Sequence, residues 1–114
     1  MSHMVHWEIP STDVQRSSAF YAALFGWEMR GWSDDYLLFT CDDGSVGGIS
    51  KVDEMPGPAI EVYIGVDDIA ATLAKAESLG GRAVQDKQEI GGDMGFTAAI
   101  VDPCGCRIGL WSQN

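Results

Sequence analysis

One local design occurs twice in this chain, 55 positions apart. The first copy opens with Val5-His6-Trp7-Glu8-Ile9, whose β-branched and aromatic content fits a strand, and passes through the turn residues Pro10, Ser11 and Thr12. Asp13 reads as a helix N-cap, Val14, Tyr21, Leu24 and Phe25 line one helical face, and Gly26 supplies the stop. Fifty-five positions on, Glu61 falls on His6, Ile64 on Ile9, Asp68 on Asp13, Leu79 on Leu24 and Gly81 on Gly26, with no gap. Chance gives single identities but rarely a strand, a cap, a helical stripe and a stop in register, so the chain is read as an internal repeat.

Each half continues with strand-like segments: 27–32, 36–41 and 45–51 in the first, 82–90, 96–101 and 106–112 in the second. Asp42-Asp43-Gly44 and Asp102-Pro103-Cys104-Gly105 are hairpin turn chemistry. Aligning Gly44 with Gly105 raises the offset to 61, and the six extra residues fall around Gly91-Gly92-Asp93-Met94-Gly95, a candidate mobile rim. Residues 52–58, with Met55-Pro56-Gly57-Pro58, break both periodicities and read as the linker. The expected organisation is a β-α-β-β-β repeat at 5–51, the linker at 52–58 and a second β-α-β-β-β repeat at 59–112, together one α+β domain over 5–114. One helix and a few short strands cannot bury both faces of a sheet, so the halves must pair, giving an open half-barrel with the helices outside and a concave face inside. Met1-Ser2-His3-Met4 is read as an expression tag or disordered stub and carries no weight.

The 114 residues suit one domain, and 46% apolar with 21% charged residues is globular composition. Seventeen acidic against seven basic residues give a net charge of −10, which disfavours nucleic acid and anionic membrane surfaces as partners. No apolar run approaches the length of a membrane span, and no basic-then-apolar leader opens the chain, so a cytoplasmic protein is expected. The odd cysteine count (Cys41, Cys104, Cys106) then favours reduced thiols, and Cys104-Gly105-Cys106 reads as turn structure rather than a redox pair. Gly47-Gly48 lacks the lysine and following helix of a phosphate loop, and no Ser-His-Asp or Cys-His arrangement is present.

His6 and Asp13, then Phe20-Tyr21 and Leu24-Phe25-Gly26-Trp27, then Asp67-Asp68-Ile69, then Asp102-Pro103-x-Gly105 form an ordered pattern. It resembles the vicinal oxygen chelate superfamily (glyoxalases, bleomycin-resistance proteins and extradiol dioxygenases) over residues 5–111, and is most similar to its small bacterial glyoxalase-like members. The resemblance implies a divalent metal on the concave face, held from the first and last strands of each half. The first-strand positions fall on His6 and Glu61 and the last-strand positions on Gly48 and Gly109, so two of four positions carry no ligating side chain. Strand alternation adds Glu8 beside His6 and Tyr63 beside Glu61, and His6, Glu8 and Glu61 are the set that would hold an ion if one binds.

Two functions follow from these residues. In the first, the chain is a binding module that works without a metal and holds a small aromatic or cationic molecule at His6, Glu8, Gly48, Glu61, Tyr63, Gly109 and Trp111, with no cofactor. In the second, it is a metal-dependent lyase, isomerase or dioxygenase acting on a small oxygenated substrate. Glycine at 48 and 109 favours the first and should leave floor space for a flat group; a homodimer covering the exposed edges is expected with either.

Overall fold

The computed structural model describes residues 6–57 and 61–114. The stub at 1–4, Val5, the end of the linker at Pro58 and the first two residues of the second repeat lie outside them. The first half runs β1 (Trp7–Ser11), α1 (Val14–Phe25), β2 (Glu28–Ser33), β3 (Tyr36–Thr40) and β4 (Val46–Lys51). The second runs β5 (Tyr63–Gly65), α2 (Ile69–Ser78), β6 (Arg82–Glu89), β7 (Phe96–Val101) and β8 (Arg107–Ser112). Each half makes its own four-stranded sheet, ordered β1-β4-β3-β2 and β5-β8-β7-β6, in which the first strand pairs parallel with the last and the other pairs are antiparallel. This is the expected α+β arrangement of two β-α-β-β-β units, with helices over one face of the sheets and the other face open.

The repeat is closest at the helix starts. Asp13 and Asp68 both take extended backbone, and their carboxylates accept from the N–H three residues on, Arg16 and Ala71, at 3.1 and 3.0 Å. It loosens at the helix ends. Gly26 takes the left-handed stop of α1 (φ 74°), but in the second half Gly80 takes it (φ 95°), not the expected Gly81. A side chain on Gly81 would meet the Phe20 ring at 2.8 Å, so its glycine serves close packing between halves. Pro10 and Ser11, read as turn residues, extend β1 instead; β1 is an edge strand, where a missing N–H leaves no gap in the sheet. The second half's first strand is short, and Glu61 lies before it rather than in it. The six additional residues of the second half divide between a β6 two residues longer than β2 and a 90–95 loop replacing the pair Asp34-Asp35. That loop is anchored: Ile90 N–H donates to the Gly95 carbonyl, Met94 N–H to Gly91, and the Trp111 indole to Met94.

One core serves both halves. Ile9, Phe39 and Ile49 from the first sheet, Tyr21 from α1, and Ile100 and Leu110 from the second sheet are fully buried in one cluster. Its centre is a stack in which Trp27 lies on Phe39 at 4.6 Å and on Tyr21 at 5.6 Å, with Trp7 edge-on to Phe39. The polar fastener between halves is Asp102, 3% exposed. Its carboxylate accepts from the Tyr21 hydroxyl at 2.8 Å and from the backbone N–H groups of Cys104 and Cys106 at 2.9 and 3.0 Å. Burial first, and then Asp102, hold the Tyr21 phenol well above its ordinary 10.0.

Tyr21→Phe should therefore leave one carboxylate oxygen of Asp102 without its donor and cost about 1 to 3 kcal/mol. In calorimetry this should lower Tm by about 5 °C per kcal/mol. Because the folded state keeps the phenolic proton more tightly than the unfolded one, stability due to Tyr21 is intact below pH 10.0 and falls as pH rises further. Urea midpoints should drop between about pH 10 and 11 in the parent protein, and less steeply in Tyr21→Phe. An unchanged alkaline slope would show that Tyr21 is not the group responsible.

Candidate ligand-binding site

Strand pairing sets the floor of the open face. Glu8 lies opposite Gly48 in the parallel pair β1–β4, and Tyr63 lies opposite Gly109 in β5–β8. Alternation sends Trp7 to the helix side, where it packs on Phe39, and leaves Glu8 with Gly48 on the open side. Across from Gly48 on its other flank stands Leu38, so Tyr36, two residues earlier on β3, shares this face.

Tyr36 was not among the residues anticipated from sequence, and it organises the first floor. Its ring crosses Gly48 so closely that a side chain there would collide with the phenol. The hydroxyl donates to Glu8 Oε2 at 2.7 Å and meets His6 Nε2 at 2.8 Å. With the single hydroxyl proton directed to the carboxylate, the contact with His6 requires Nε2–H to donate to the phenolic oxygen, which fixes the imidazole tautomer. Nε2 lies 3.6 Å from Glu8 Oε2, so the three groups form one cluster. Loss of hydration, followed by the Glu8 hydrogen bond and charge, pushes the Tyr36 phenol up to about 12.

The second floor repeats the device with a different residue. A side chain on Gly109 would lie 2.6 Å from the ring of Tyr63, which covers it from β5. Trp111, on the same face two residues along β8, keeps 36% of its surface exposed, and Tyr63 keeps 52%. Beside them Arg107 Nε donates to Glu61 Oε1 at 3.0 Å, and its Nη2 reaches Gln85 at 3.3 Å. The space expected above the two glycines is therefore filled by the chain's own tyrosines, and the exposed ring surface belongs to Tyr63 and Trp111.

Of the seven anticipated positions, the structure gathers His6 and Glu8 beside Gly48, and Glu61, Tyr63 and Trp111 around Gly109. It does not bring Glu61 to His6 and Glu8: among the described residues, no three His, Cys, Asp or Glu side chains gather where they could share a metal ion. A resident ion needs converging lone pairs. Here His6 Nε2 and Glu8 are both engaged by the Tyr36 hydroxyl, Glu61 is engaged by Arg107, and the last-strand positions are glycines under aromatic rings. This donor set does not fit a resident divalent metal.

A model of the Glyoxalase/Bleomycin resistance protein/Dioxygenase superfamily matches residues 3–110. A glyoxylase-like domain-containing protein of Didymella fabae is 34% identical over 74% of this chain and 73% of its own length. The anthracycline biosynthesis protein DnrV of Streptomyces peucetius is 28% identical over 94% of this chain, which spans only 46% of that relative. Among solved structures, a glyoxalase/bleomycin resistance protein/dioxygenase family enzyme from Burkholderia phytofirmans superposes with a TM-score of 0.82 at 16% identity, covering 99% of this chain and 100% of that one. A mutant of the fosfomycin resistance protein FosX from Listeria monocytogenes, complexed with Mn(II), gives 0.80 at 15%, covering 97% and 90%.

Glu8→Gln should bring the Tyr36 phenol partway from about 12 toward 10.0, because it removes the carboxylate's contribution and leaves the loss of hydration. Gly48→Ala should act more strongly on the same group, since the new methyl displaces the hydroxyl from both partners. Phenolate absorbance titrations of the two variants against the parent would read this directly. A Tyr36 titration unmoved by either change would mean that the His6–Tyr36–Glu8 cluster does not form in solution.

Proposed function

Because this chain belongs to the glyoxalase/bleomycin resistance protein/dioxygenase superfamily but has glycine at two positions where a ligating side chain is expected, we propose that it binds a small aromatic or cationic molecule on its concave face without a resident metal. The observation that carries this reading is the exposed ring pair Tyr63 and Trp111 on the floor of the second half. Ring-on-ring contact is worth about 0.5 to 1.5 kcal/mol beyond the area it buries. The aromatic part of the ligand thus has two named surfaces. The cationic part has Glu8, since Glu61 is balanced by Arg107. An anion would enter against the net charge of −10. The name of the Streptomyces relative points the same way, an anthracycline being a flat fused-ring molecule.

We place the protein in the cytoplasm as a homodimer. Support for the second copy comes from β1, β2, β5 and β6, each hydrogen-bonded on one side only within its sheet, and from Trp32 on β2, 75% exposed. Among the described residues, no helix is long and apolar enough to cross a membrane.

Calorimetry with a neutral probe, 1-naphthol, should detect binding that Trp111→Ala weakens roughly three- to tenfold, the equivalent of one lost ring contact. A glutathione conjugate should bind less well than the naphthol. Elemental analysis of protein purified without a tag or chelator should find far less than one equivalent of Zn, Ni, Mn or Fe. A stoichiometric ion lost on His6→Ala or Glu61→Gln would reject the metal-free reading and favour a metal-dependent lyase, isomerase or dioxygenase. Sedimentation as a monomer at micromolar concentration would reject the dimer.

A further inference from the structure

A further cleft opens away from the floor of the concave face. It lies between the two halves on the helix side of β1, opposite His6 and Glu8, and encloses about 780 Å³. That volume is in the range of small-molecule sites. One wall is Trp7 and Phe25, both half-buried, backed by Trp27 of the aromatic stack. The facing wall is β5 and the residues after it, with Ile64 and Val66 turned toward the core.

The cleft is sharply one-signed at its edge. Asp42 and Asp43 come from the β3–β4 turn and Asp67 and Asp68 from the start of α2, while among the described residues Lys75 is the only basic one lining it. Asp43 accepts from the N–H and hydroxyl of Ser45, which hold its carboxyl below the usual carboxylate range. Asp68 is committed to capping α2, which leaves Asp42 and Asp67, both exposed, to face a ligand.

We propose that this cleft is a second ligand site, separate from the concave face, for an organic cation with a flat aromatic body, its ring against Trp7 and Phe25 and its charge among the aspartates. Each wall selects for one part of that description. Half-buried indole and phenyl groups gain from covering by an apolar ring, and aromatic faces attract a diffuse cation. An aromatic anion of the same shape would meet four carboxylates against one ammonium. A small hydrated metal ion would gain nothing from the apolar wall. Tyr63, on the edge strand β5, borders both this cleft and the concave face, whereas Trp111 does not line the cleft and so distinguishes the failure of one reading from that of the other.

The test is calorimetry with 1-methylquinolinium, with naphthalene-2-carboxylate as the anionic control. The cation should bind and the carboxylate should not. Binding should weaken between about 0.1 M and about 1 M salt, as the screening length falls from about 10 Å to 3 Å. Ala71→Arg puts a cation on the cleft wall from an exposed helical position, so folding is preserved, and should weaken binding at least tenfold. Asp42→Asn and Asp67→Asn should each weaken it roughly threefold, as expected for exposed charges. Because the concave face is itself read as taking aromatic or cationic molecules, these titrations are made in a Trp111→Ala background, which should lose naphthol binding and keep the quinolinium binding that belongs to the cleft. The proposal is overturned if quinolinium fails to bind at millimolar concentration, if the carboxylate binds equally well, or if binding survives Ala71→Arg. It is also overturned if Trp111→Ala abolishes quinolinium binding, or if Ala71→Arg converts a sedimenting dimer to monomer, since the cleft is then an interface between copies.

Discussion

A buried carboxylate is costly unless its charge is met by donors, and Asp102 meets that condition only because two halves of the chain converge on it. Two donors are backbone groups of its own turn and the third is the Tyr21 hydroxyl, 81 residues away in sequence. Tyr21 also lies within the aromatic stack with Trp27. The contact between halves and the packing of the first half's core therefore share one side chain. The close approach of Phe20 to Gly81 adds a steric fit at the same seam. The seam holds α1 against both sheets, and from its position follow the open faces on one side and the cleft on the other.

Much of this was legible in the sequence because it is periodic. The paired N-caps Asp13 and Asp68, the helical stripe and the strand alternation each fix local geometry without knowledge of the partner. Glycine was legible as a type but not as a role. Gly81 matched Gly26 by offset, yet the left-handed stop belongs to Gly80, because α2 ends sooner than α1. Pro10 looked like a turn because its tolerance at the edge of a sheet depends on strand order, which no local pattern states.

The site was half legible for the same reason. His6, Glu8 and Glu61 could be placed from position in the repeat, but their partners could not. Tyr36 reaches His6 and Glu8 from β3, and its place on that face follows only once β3 is registered against β4. Arg107 meets Glu61 across 46 residues for a similar reason. The two floors also use non-equivalent tyrosines, one from the third strand of its half and one from the first. A repeat alignment pairs Glu8 with Tyr63 and gives no counterpart contact for Tyr36.

The two roofed glycines have a consequence for descent. If the fold once carried a side-chain ligand at position 48 or 109, its return requires a tyrosine to move aside. At Gly48 the incoming side chain collides with Tyr36, and removing Tyr36 first dissolves the contacts that orient His6 and Glu8. At Gly109 the obstruction is Tyr63. Each glycine is thus epistatic with a tyrosine elsewhere in its half, and either order of change passes through a protein with neither arrangement complete. The structure acts as a ratchet: small steps do not readily return a side chain to position 48 or 109, while the aromatic surfaces over them stay free to change.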